Sequence, residues 1–137
     1  MEEIAASIGN YVGISAPTAR LAIGHIFVFL EKRDPAIGGE LIARVPGGRE
    51  TVEEALAAPR RGILGLALGG LGTLVGKNQK DVIELTSRLT SMGLSAAQLQ
   101  KLAKAVFVLA EQAIGRAKLQ TITDTIPGLS KFLWPHG

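Results

Sequence analysis

A chain of 137 residues, 47% hydrophobic and 20% charged, is long enough to bury a core and too apolar to stay disordered. It contains no cysteine, which excludes disulfides, thiolate zinc sites and cysteine nucleophiles and makes a reducing cytoplasm the expected compartment. The net charge of +3 is uneven: residues 1–58 hold five basic and eight acidic side chains, residues 59–137 ten basic and four acidic. That division favours attraction between the two halves, within or between molecules, over a polyanionic partner. Ala, Leu, Ile and Gly dominate, and no β-branched alternation appears, so an all-α single domain over 1–137 is expected.

The start, Met1-Glu2-Glu3-Ile4, is acidic and lacks the basic opening and apolar core of a signal peptide. Ile4, Ala5, Ile8 and Val12 recur at helical spacing, and Gly13 stops that helix. Ser15 is the next N-cap, with Pro17 in the first turn. The helix it opens carries Leu21, Ile23, Ile26, Phe27, Val28, Phe29 and Leu30, apolar nearly all round, which predicts a central, buried element. Asp34-Pro35 caps a short helix with Ile37, Leu41 and Val45 on one face, ended at Pro46-Gly47-Gly48. Thr51 to Glu54 reads as a capping box for one or two turns, ended by Pro59.

Gly62 to Gly76 then runs 15 residues without a charge, bracketed by Arg60-Arg61 and Lys77. It is shorter than the roughly 18 residues that span a bilayer. Gly62, Gly65, Gly69, Gly72 and Gly76 would line one helical stripe. Six helical glycines would cost about 6 kcal/mol, so either another helix approaches closely along the stripe or the segment is a loop. The packed, broken helix is favoured, and both remain open.

The second half repeats the plan. Val82, Leu85, Leu89 and Met92 make an amphipathic helix stopped by Gly93. Ser95 and Gln98 form a capping box for a long helix lined by Leu99, Leu102, Val106, Leu109, Ala113 and Ile114. Leu119, Ile122 and Ile126 mark a short helix ended by Pro127-Gly128, with a last turn bearing Phe132, Leu133 and Trp134. Val12-Gly-Ile-Ser-Ala matches Met92-Gly-Leu-Ser-Ala, Phe27-Val28 matches Phe107-Val108, and Glu31 matches Glu111, all at an offset of 80. One residue inserted in the following loop then shifts Leu41, Val45, Pro46 and Gly47 onto Ile122, Ile126, Pro127 and Gly128. The ordered set predicts an internal duplication: repeat one over 2–47, a glycine-rich joint over 60–77 and repeat two over 82–128. The expected architecture is a compact pseudo-twofold bundle of six or seven helices.

The run from a Gly-Ile/Leu-Ser-Ala helix start to a Pro-Gly stop, with a glycine-rich apolar joint, resembles an uncharacterised proteobacterial family. It is similar to the VcgC/VcgE-like proteins, within a broader YidB-like grouping, and the likeness covers most of the chain. The resemblance implies a shared fold. It supplies no catalytic residues.

Residue patterns for chemistry are sparse. Gly76-Lys77 is followed by Asn78, and Leu71 stands where a P-loop needs its first glycine. Gly70-Leu-Gly72 is not preceded by a strand, as a dinucleotide loop requires. His25 reads as a polar residue at a bundle edge, and His136 lies in the tail, so no metal or other cofactor is expected. Glu31 and Glu111 suggest solvated helix ends, or pairs with Lys32 or Arg116. Lys101 and Lys104 share a helix face. Arg60, Arg61, Lys77 and Lys80 flank the joint and are the candidate anion contacts, with a solvated surface as the plainer alternative. The sequence therefore points to a non-enzymatic interaction or scaffold protein, self-associating or bound to another protein. Reversible attachment to an anionic surface is second, lipid before nucleic acid.

Overall fold

The computed structural model describes residues 2–57 and 80–125, the side chains of 80–83 excepted. Among them are seven helices and no strand, so the all-α expectation holds. They are α1 (Glu2–Val12), α2 (Ala16–Arg33), α3 (Pro35–Arg44), α4 (Gly48–Ala57), α5 (Lys80–Ser91), α6 (Ala96–Ile114) and α7 (Arg116–Thr123). The glycine-rich joint and the final turn with Phe132, Leu133 and Trp134 lie outside the described residues.

Local signals set most helix ends. Gly13 and Gly93 take φ of 90° and 96°, a left-handed conformation that side chains resist, and stop α1 and α5. Ser15 then accepts the Thr18 N–H, and Pro17 sits in the first turn of α2. Asp34 serves two helices at once. Its N–H donates to Leu30 O to close α2, and its carboxylate accepts the Ile37 N–H to open α3. Ser95 and Gln98 form the reciprocal capping box at the start of α6.

Packing is organised around α2, which touches α1, α3, α4 and α5. Its Ala19, Ala22, Phe27, Phe29 and Leu30, with the run from Ile23 to Ile26, are all buried, as its all-round apolar sequence demands. At Gly24 the backbone of α4 comes so close that a Cβ there would lie 2.5 Å from Thr51 O and 2.9 Å from Ala55 Cβ. The second half closes on the first through four helix pairs: α1 with α6, α2 with α5, and α3 with both α6 and α7. Leu102, Val106, Phe107, Ala110 and Ile114 of α6, with Leu119 and Ile122 of α7, join the same buried cluster.

Three boundaries differ from the sequence reading. α4 begins at Gly48 and runs ten residues, so Thr51 lies inside a helix rather than capping one. Its hydroxyl donates back to Gly47 O at 2.8 Å, and Glu54 reaches Arg20 instead of closing a box. α5 ends at Ser91, one residue before Met92. α7 ends at Thr123, where the Asp124 N–H caps it, and the expected stop at Ile126, Pro127 and Gly128 lies outside the described residues.

Two core tests follow. Phe27 is fully buried and Phe107 is 6% exposed. Alanine at either should lower stability by about 3–5 kcal/mol, read as a drop in urea midpoint. Gly24→Ala sets two effects against each other, because helix propensity alone favours alanine by about 1 kcal/mol. The added Cβ would strike the α4 backbone, so the midpoint should fall. A rise would mean that α4 does not press on Gly24.

Candidate functional site

Of the four cations proposed as anion contacts, Arg60, Arg61 and Lys77 lie outside the described residues. Lys80 opens α5, and its side chain lies outside them too. Lys101 and Lys104 are exposed on α6, as their spacing predicted. The structure adds what the sequence reading missed: Tyr11 of α1, 55% exposed, lies beside Lys101, with the Lys101 ammonium 5.8 Å from the ring centroid. Val108, seven residues beyond Lys101 on the same helical stripe, is 54% exposed. The face therefore combines two cations with two apolar groups. Only the long-range approach of α1 to α6 brings Tyr11 there.

Three acidic groups, Glu31, Glu40 and Glu54, are engaged in joints between helices. Glu31 accepts from Arg49 of α4 at 3.0 Å, replacing the expected neighbour Lys32. Glu54 accepts from Arg20 Nε at 2.6 Å, a second α2–α4 tie. Glu40 of α3 takes Lys118 of α7 at 2.7 Å and Arg44 of its own helix at 3.3 Å. The hydrogen bond from Lys118, and then the charges of Lys118 and Arg44, hold the Glu40 carboxyl below its usual value. Lys118–Glu40 joins the basic half to the acidic half, one instance of the attraction that the charge division suggested. Polar contacts also cross the same boundary where Gln98 Nε2 donates to Gly13 O and Arg33 donates to the Thr125 hydroxyl, both at 3.3 Å.

His25 is not at a bundle edge. It is 8% exposed within the α2 surface. Burial, and then the positive charge of Arg88 on α5, push its pKa below the ordinary value. Arg88 is itself paired with Glu84 at 2.7 Å. Among the described residues no three His, Asp or Glu side chains gather where they could hold a metal ion. No single described helix is long and apolar enough to cross a membrane, and the α1–α2 pair that would qualify together is bent by 101°.

The lowered His25 pKa gives a pH signature. Unfolded, the imidazole binds a proton near pH 6.5, while folded it resists until a lower pH. The unfolded chain thus binds more protons as pH falls through this window, and stability present above about pH 6.5 is lost below it. Urea midpoints should fall between pH 7.5 and pH 5.5 (a window set on either side of about 6.5), and His25→Gln should fall less. An equal fall in both proteins would remove His25 as the cause.

No family model, curated protein or solved structure matches this chain.

Proposed function

We propose that this protein is a non-enzymatic helical interaction or scaffold protein of the cytoplasm, able to associate with itself. The observation that carries this reading is the use made of its carboxylates: Glu31, Glu40 and Glu54 each tie one helix to another at the surface. General acid–base work needs such groups gathered in a cleft with a perturbed partner, and here each instead faces a cation on a neighbouring helix.

A duplicated, pseudo-twofold plan with a glycine-rich joint belongs to the same proposal, as does kinship with the YidB-like grouping. Matched local features support the duplication. Gly13 and Gly93 share a left-handed φ, and Ser15 and Ser95 both cap. Gly115 sits between α6 and α7 as Asp34 sits between α2 and α3, each N–H closing the preceding helix. Under this plan the extra residue falls within α6, of 19 residues against 18 in α2, rather than in the following loop. The pairs α1–α6 and α2–α5 would be exchanged by the twofold.

The test is a photo-reactive side chain at position 11 or 108 of the full chain in cells, with position 32, also exposed, as control. Discrete protein adducts from 11 or 108, and none from 32, are expected. No adduct at any of them would contradict the reading.

Attachment to an anionic surface is the second reading, favoured by the exposed Lys101 and Lys104 beside Tyr11 and Val108. It expects binding to anionic vesicles that weakens steeply with salt and drops when Arg60 and Arg61 are both changed to Glu. A generic DNA duplex run alongside separates a lipid preference from general polyanion binding. Absence of vesicle binding at low salt would rule this reading out.

A further inference from the structure

Two helix faces of this chain are exposed, apolar at one end and opposite in charge at the other. On α4, Glu50 and Glu53 are exposed and make no ion pair among the described residues, and Leu56, one turn beyond Glu53, is 52% exposed. On α6, Lys101 and Lys104 are exposed, and Val108, one turn beyond Lys104, is 54% exposed. A lone exposed valine or leucine on a protein surface is ordinary. Here each sits next to a charged pair, and the two pairs have opposite sign.

The spacings also agree. At 1.5 Å per residue, the midpoint of Glu50 and Glu53 lies about 7 Å along the axis from Leu56. The midpoint of Lys101 and Lys104 lies about 8 Å from Val108 by the same rise. Both motifs run in the same direction, charge first and apolar group second. Laid parallel, α4 and α6 would therefore set Leu56 on Val108 and the two carboxylates opposite the two ammonium groups. Tyr11, held beside Lys101, would lie at the charged end of the contact.

We infer that α4 of one molecule docks in parallel along α6 of a second copy, with Glu50 and Glu53 facing Lys101 and Lys104 and Leu56 packed on Val108. This rests on the self-associating form of the proposed function and names its surfaces. Because the two patches are different, the contact is head-to-tail: each copy added leaves one α4 face and one α6 face open, so assembly continues as a ring where the rotation closes and as an open filament where it does not. Exposed charge pairs make it weak and salt-sensitive.

The absence of native cysteine permits a direct test on the full chain. Leu56→Cys and Val108→Cys proteins, mixed at low salt under mild oxidation, should form a mixed disulfide dimer in preference to either homodimer. A disulfide requires the Cβ atoms to come within about 4.5 Å. Leu56→Cys mixed with Lys32→Cys should not cross-link. By sedimentation, E50K/E53K and K101E/K104E should each weaken self-association by about tenfold or more. Mixing the two, or combining all four changes in one chain, should restore it, a readout that a folding defect could not produce. A wild type that stays monomeric at low salt would overturn the inference, and the cellular cross-linking test would still decide the broader reading. Self-association that ignores both charge reversals and gives no mixed disulfide would also overturn it, while leaving self-association through some other face.

Discussion

Burial of α2 is the constraint on which the other packing depends. A helix apolar on nearly every side has no face to offer water, so it must be surrounded, and α1, α3, α4 and α5 surround it. That demand explains why α4 runs against Gly24, where no side chain keeps the backbones apart. It also explains the setting of His25. A polar residue in such a helix is buried with its neighbours, and its proton affinity falls accordingly.

Charge then sits where α2 allows it. Arg20, Glu31 and Arg33 lie near its ends, and two of them bind α4, so hydrophobic contact and ion pairs fix the same helix pair. Such half-exposed bridges are worth little singly, about 0–1 kcal/mol each, and serve orientation more than stability. The basic and acidic halves of the chain meet at Lys118–Glu40. Exposed charge of opposite sign also lies on α4 and on α6, the two faces that the proposed contact between copies would use.

What the sequence made legible was local. Ser15, Asp34 and Ser95 cap helices through bonds spanning three residues, and Gly13 and Gly93 stop them by conformation alone, so a single stretch of chain contains the whole cause. The central place of α2 was legible because apolarity on every face leaves one outcome. Partners distant in sequence were hidden. Glu31 binds Arg49 rather than Lys32, and Glu54 binds Arg20, because tertiary approach decided between several nearby charges. Thr51 misled for a related reason: the same hydroxyl that can cap a helix can also bond back inside one, and the contact of α4 with α2 extends the helix past that point. Of the candidate site, Lys101 and Lys104 were visible from spacing, and Tyr11 was not.

Native-state hydrogen exchange tests the central place of α2 most directly. If α2 is enclosed by four helices, amides in its run from Ile23 to Phe27 should exchange only through global unfolding, with the largest protection in the protein and full sensitivity to urea. Urea-insensitive exchange in that run, or protection below that of α1 or α7, would contradict this arrangement and leave α2 an ordinary peripheral helix.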